Sequence, residues 1–326
     1  MLKQLTRSIA AAALLTCTTS YAATDALTAE QLAFIDELVV EHGFEREALA
    51  ALLSQTEPNQ EILDAIQRPW EAKPWHQYYP IFLTEKRLAA GLEFWQEHAE
   101  TLARAEQQFG VPAEVIVAII GVETFYGSYL GKYQVLDALT TLGFHYPPRQ
   151  TFFRSELKEF LLLTRAEKLS PTELKGSYAG AMGYGQFISS SYRHYAIDFD
   201  ADGVRDLLSN PVDAIGSVAN YFLKNGWRPQ QRVAVELPAT AANADLASDG
   251  LKLTATIAEL QKQGLDLPEN TELDGDMKAK VFRFEQPDDA DYWLGLHNFY
   301  VITRYNRSPL YAMVVHQFSQ QLAAAR

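Results

Sequence analysis

The stretch VIVAIIGVETFYGSYLG spans Val115–Gly131, and a single glutamate, Glu123, closes its run of core-type residues. Pro112 stands where a helix would begin, and the apolar run to Val122 predicts a helix buried on nearly every side. An unpaired carboxylate in such surroundings costs several kcal/mol or keeps its proton. Glu123 is therefore either a solvated helix end or an acid whose proton is held on purpose, and the rest of the chain decides between the two.

Upstream of that helix the pattern is helical throughout. Thr28 with Gln31 reads as a capping box opening a helix that ends near His42–Gly43, and EREALAALL, 45–53, is the next. After the connector RPWEAKPWHQYYPIF, a helical pattern is expected from about Thr84 to Phe109, with Gly110 placed to end it. Downstream of Arg228 the texture changes: RVAVEL, LKLTATI and MKAKVFRFE alternate in the manner of strands. From DYWLGLHNFYVITRYN onward the chain again reads as helical. The expected class is mainly α with some β. Its divisions are a helical N-terminal part (23–110), a catalytic core (111–227), a small β-rich subdomain (228–287) and a C-terminal helical segment (288–326) that packs back.

The first 22 residues place Lys3 and Arg7 before the apolar stretch Ile9–Leu15 and end on small residues, which is the form of a secretory signal. Export to the periplasm is the expectation. The rival is a lipoprotein anchored to the outer membrane through Cys17, the chain's only cysteine, but Thr16 is a poor residue before such a site, whereas Ser20 and Ala22 suit ordinary cleavage. Without the signal the chain has 26 basic and 41 acidic residues, a charge of −15. Nucleic acid is excluded as a partner on that balance, and an anionic polymer would have to be recognised by local groups in a cleft. A monomer is expected.

Two further stretches carry chemistry. GSYAGAMGYGQF, 176–187, holds four glycines among Ser177, Tyr178, Met182, Tyr184 and Gln186; such density suits either a ligand-approached loop or a tightly packed corner. DFDADG places Asp198, Asp200 and Asp202 before Gly203 in the arrangement of an EF-hand-type cation loop. The twelfth loop position is Ser209 instead of glutamate, and the nearest later carboxylate is Asp213, which also reads as a first-turn residue of a helix capped by Asn210. No nucleophile elbow, P-loop, dinucleotide fingerprint or metal-hydrolase spacing occurs, so no organic cofactor is expected.

Together, GVETFYG, YAGAMGYGQFISSSYRHYAIDFDADG, NPVDAIGSVANYFLKNGW and NFYVITRYNRSPLYA resemble the B-type lytic murein transglycosylases of Gram-negative bacteria. The resemblance covers nearly the whole chain after the signal. It implies a core like goose-type lysozyme carrying an EF-hand-like loop with structural calcium. It also implies cleavage of the β-1,4 bond between N-acetylmuramic acid and N-acetylglucosamine in peptidoglycan, leaving 1,6-anhydro ends. Carried onto this chain, it makes Glu123 the acid/base and places Tyr78, Ser177, Met182, Gln186, Tyr221, Tyr305 and Asn306 in the cleft. The cation loop becomes Asp198, Asp200, Asp202 and Asp213 with the Val204 carbonyl. Where the family often has two arginines, this chain has Pro148 then Arg149, leaving Arg149 alone to meet acidic groups of the substrate. Two alternatives stay open: a hydrolytic muramidase using Asp137 as a second carboxylate, and a non-catalytic, calcium-dependent peptidoglycan-binding protein.

Overall fold

The computed structural model describes residues 27–68 and 72–326. The segment read as a signal, Cys17 within it, and Trp70 of the connector lie outside the described residues. The chain opens with α1 (Ala29–His42), whose Thr28–Gln31 capping box forms as expected and whose Gly43 is left-handed. Next come α2 (Arg46–Leu53), α3 (Gln60–Ala65) and α4 (Trp75–Tyr78). The single helix expected from Thr84 to Phe109 is two, α5 (Glu85–Glu97) and α6 (Ala99–Phe109), broken at His98. No glycine or proline marks that break: His98 leaves helical geometry at φ −107° and ψ 24°, while its ring still packs on Phe94 at 4.5 Å.

At the centre runs α7 (Ala113–Thr124), with ten buried residues distributed around its circumference. Each large aliphatic side chain in that set contributes about 1.5–3 kcal/mol on burial, which is why a helix with so little amphipathic character is stable there. It is packed against α5, α6 and the later α11 (Pro211–Lys224) and α15 (Pro309–Ala325). Between these, β1 (Tyr133–Gln134) leads into α8 (Val135–His145) and α9 (Gln150–Glu167). Strand β2 (Lys175–Gly176) pairs antiparallel with β1, Tyr133 opposite Gly176, and so brings the glycine-rich loop beside the chain that leaves α7. Helix α10 (Ser189–Tyr195) then leads to the aspartate loop.

The β-rich segment is a four-stranded antiparallel sheet in the order β3–β6–β5–β4, with β3 at Ala234–Leu237, β4 at Ala255–Thr256, β5 at Lys278–Glu285 and β6 at Ala290–Gly295. It has its own apolar cluster, including Val235, Ile257, Val281 and Leu294. Two short helices, α12 (Ala241–Leu246) and α13 (Ile257–Lys262), lie in its connections. DYWLG, read from sequence as helical, is strand β6: Val281 and Val235 both pair with Leu294, so the segment is the sheet's interior. Its unbroken apolar run fits a strand buried on both faces as well as a helix, and pairing decides. Helix α14 (His297–Tyr305) begins only after it.

Candidate active site

Helix α7 ends abruptly just past Glu123. Phe125, Tyr126 and Gly127 take left-handed φ values of 50°, 58° and 84° in succession. Left-handed backbone costs about 1–2 kcal/mol for a residue with a side chain, so two in a row must be held by their surroundings. Tyr126 is held between Gly91 and Gly121, where an added Cβ would lie 2.3 and 2.4 Å from its hydroxyl. Thr124 ties the turn to the glycine-rich loop: its hydroxyl donates to the Tyr184 carbonyl (2.9 Å) and accepts the Gly127 N–H (3.0 Å). Glu123 is thereby fixed at the helix end, half-buried, with one face toward the last helix.

The Tyr311 hydroxyl donates to Glu123 Oε1 at 2.6 Å. Ser308 caps α15 by accepting the Tyr311 N–H, and Pro309 occupies the first helical position, so the sequence RSPLY fixes where that phenol points. Tyr305 lies parallel to Tyr311 with ring centroids 6.4 Å apart, and its hydroxyl donates to the Gly185 carbonyl at 2.6 Å. Burial, and then the Glu123 carboxylate, raise both phenols well above their ordinary pKa, so both remain protonated donors. Tyr311 carries no signal in the sequence, being one tyrosine among 16 until the cap places it.

In the glycine-rich loop, Ser177 Oγ accepts the N–H groups of Ala179 (3.2 Å) and Ala181 (3.0 Å). With both lone pairs engaged, its hydrogen is directed away from the loop. Gln186, itself at φ 48°, donates its side-chain amide to the carbonyls of Leu130 and Gly183, leaving its Oε1 as the outward group. Asn306 is half-buried at the end of α14, beside Tyr305.

Three of the residues expected in the cleft are buried. Met182 is wholly buried and pairs its backbone with Phe187. Tyr78 is 1% exposed with its ring on Phe82, and Tyr221 is buried, donating its hydroxyl to the Arg304 carbonyl and packing 4.7 Å from Tyr305. Arg149 is exposed just before α9, its guanidinium over Phe152 and Phe153, among contacts of its own.

Asp198, Asp200 and Asp202 converge, with one oxygen of each lying within 4.8 Å of the others. Asp198 accepts the N–H groups of Asp202 and Gly203, and Asp202 accepts that of Val204, which sets the loop's curvature. The Asn210 amide donates to Asp200 and holds its carboxyl below the usual range. Asp213 is not part of this group: it is fully buried, and its two oxygens accept the N–H groups of Phe199 (2.6 Å) and Asp206 (2.8 Å), tying the two ends of the loop together. Oxygen ligands on a tight turn suit a hard cation such as calcium.

Residues 28–320 match the family model described as a transglycosylase SLT domain. Membrane-bound lytic murein transglycosylase B of Escherichia coli K12 is 45% identical over 303 residues, covering 90% of this chain and 82% of that protein. Soluble lytic transglycosylase SltB1 of Pseudomonas aeruginosa superposes with a TM-score of 0.85 at 48% identity, over 91% of this chain and 99% of that one. The E. coli lytic transglycosylase Slt35 in complex with calcium superposes with a TM-score of 0.83 at 44% identity, over 91% and 94% of the two chains. With a carboxylic acid fixed at the end of a buried helix and a lysozyme-like helical fold around it, this chain belongs to the SLT-domain lytic murein transglycosylases, the lyases that cleave peptidoglycan.

Proposed function

We infer that Glu123 acts first as acid and then as base on the bond between N-acetylmuramic acid and N-acetylglucosamine. The observation that carries this is the Tyr311–Glu123 hydrogen bond: a buried phenol that stays protonated holds the carboxyl in one orientation at the end of α7. Glu123 donates its proton to the glycosidic oxygen as the C1–O bond breaks. The substrate's own acetamido oxygen supports the cationic C1, a role for which Ser177 is the orienting donor through its outward hydroxyl hydrogen. The C6 hydroxyl then attacks C1, the Glu123 carboxylate takes its proton, and the 1,6-anhydro ring closes. Gln186 Oε1 and Asn306 are placed to accept from sugar hydroxyls. A hollow of about 780 Å³ whose lining includes Tyr178 of the glycine-rich loop, Tyr133 and Arg68 offers room for more of the glycan strand.

Asp137, the second carboxylate of the hydrolytic alternative, sits on the first turn of α8, where burial raises its pKa. Burial is the whole cause of that shift, with no contribution from Glu123, and Asp137→Asn is expected to keep most activity. The deciding experiment is digestion of purified murein in ¹⁸O-labelled water. Intramolecular attack has a high effective molarity and outcompetes bulk water when the hydroxyl is held close. Products are expected to be anhydro and unlabelled from the earliest times; label at the muramic reducing end would establish hydrolysis.

The same reading puts the enzyme in the periplasm and calcium on Asp198, Asp200 and Asp202, supported by the calcium complex of Slt35. Asp213 then shapes the loop from behind. The cation is structural: at about 100 times its dissociation constant it adds roughly 2.7 kcal/mol to folding if only the native state binds it. Unfolding followed with chelator and then with excess calcium is expected to show that gain, and an unmoved midpoint would remove the site.

A further inference from the structure

A hollow of about 680 Å³ opens between the helical core and the sheet. On the core side its walls are Arg228 and Gln231, just past α11, with His297 and Tyr300 on the first turn of α14. Tyr305, which reaches the glycine-rich loop, lies eight residues and so about 12 Å further along α14. On the sheet side the walls are Lys252 and Leu253 before β4, the turn at Asp274, Asp276 and Met277, and Lys278 at the start of β5.

Both walls are fixed by hydrogen bonds. The fully buried Asn298 donates its amide to the carbonyls of Arg228 (2.8 Å) and Gln231 (3.0 Å) and accepts the Arg228 N–H (2.9 Å). His297 Nε2 donates to the Gly226 carbonyl at 2.7 Å. Across the hollow, the carbonyls of Gly275 and Met277 accept the N–H groups of Ala258 and Ile257, each at 2.9 Å. A pre-formed hollow of this size at a junction between subdomains, with apolar surface and a few polar groups, is the usual form of a small-ligand site.

The charges around it constrain the ligand. Arg228, Lys252 and Lys278 are exposed cations, and Asp274 and Asp276 are exposed carboxylates. Among the described residues, none of these five lies within the 4.0 Å of an ion pair with any opposite charge. Charges of both signs therefore face one hollow without cancelling each other. A polyanion would meet the carboxylates and a metal ion the cations, at a like-charge cost in either case. A neutral sugar would leave all five unpaired. A ligand with carboxylate and ammonium groups on one short backbone satisfies both sets, and Leu253, Met277 and the Tyr300 ring offer surface to its aliphatic parts.

We propose that this hollow is a second, non-catalytic site for a short zwitterionic peptide, the stem peptide of the murein network. Stems belong to this class: they carry free carboxylates, and their diamino acid has a free ammonium wherever it is not cross-linked. Arg228, Lys252 and Lys278 take the carboxylates, and Asp274 and Asp276 take the ammonium. Because a stem in the hollow and a strand in the cleft belong to one network, the second contact raises the local concentration of the first. The proposal rests on peptidoglycan being the substrate and is independent of the role given to Glu123.

The test is isothermal titration of the chain with the free tetrapeptide L-Ala-γ-D-Glu-meso-diaminopimelate-D-Ala, and with the same peptide acetylated on its amines. Lys252→Glu reverses a cation and Asp276→Asn removes a carboxylate, both at exposed positions. The free peptide is expected to bind and the acetylated one to bind at least about tenfold more weakly, and each variant is expected to weaken the free peptide by a similar factor. On whole murein both variants are expected to raise KM at unchanged kcat, and on peptide-free glycan strands to match the parent. No binding of the free peptide to the unaltered chain would overturn the proposal. Binding that both variants leave intact would do the same, because the peptide would then be held elsewhere. Cleavage of peptide-free strands by the parent tests the substrate reading by itself, so the two failures are distinguishable.

Discussion

Glu123→Gln is expected to lower the turnover of purified murein by at least about 10²–10⁴-fold, the range that general acid–base catalysis contributes. The substitution keeps the shape of the side chain, and the amide oxygen can still accept the Tyr311 hydroxyl hydrogen, so the contact between α7 and α15 survives. What is lost is the ability to give a proton to the leaving oxygen and take one from the attacking hydroxyl. The fall should therefore appear in kcat, with the thermal midpoint close to that of the parent. Tyr311→Phe provides the complementary measurement: it leaves the carboxyl in place and removes the group that aims it, so a smaller kcat loss is expected. If Glu123→Gln solubilised murein at near the parent rate, Glu123 would be a capping residue and the acid would have to be sought elsewhere.

Glu123 was legible in the sequence because it breaks a rule that the rest of α7 obeys. A solitary ionisable residue in an apolar run asks for an explanation, and real proteins depart from local consistency mainly at functional or strained sites. The aspartate triad was legible for a related reason: alternating carboxylates before a glycine form a local pattern, and all three side chains come from five consecutive residues. Tyr311 was not, because it is 188 positions from Glu123 and nothing local distinguishes it from a core tyrosine. Strand β6 was hidden for a different reason: its apolar run fits a helix as well as a strand, and only pairing with β5 and β3 decides. Met182, Tyr78 and Tyr221 show a subtler limit. The family resemblance implies that they line the cleft, but how deeply each is buried depends on packing that only the assembled fold determines.

The glycine-rich loop gives the second large effect. Glycine density was compatible with ligand approach, yet what comes close is the protein's own backbone. Gly183 has φ 71°, and a Cβ on it would lie 2.1 Å from the Leu207 carbonyl oxygen. That oxygen also accepts the Tyr184 N–H at 2.9 Å, the bond that holds this loop against the chain just past the aspartates. Gly183→Ala therefore combines left-handed strain of about 1–2 kcal/mol with a backbone clash that cannot be relieved by turning a side chain, about 1–3 kcal/mol more. A loss of about 2–5 kcal/mol is expected in denaturant unfolding. Gly203, in the aspartate loop, is the control: its φ is 95°, but nothing lies within 4 Å of an added Cβ, so Gly203→Ala should show the conformational cost alone. The two variants should also part in activity, since displacing Gly183 moves the segment between Ser177 and Gln186, whereas Gly203 faces solvent. If Gly183→Ala were no less stable than Gly203→Ala and retained full turnover, the loop's glycines would not be holding the backbone close. Their density would then have to be explained by the substrate.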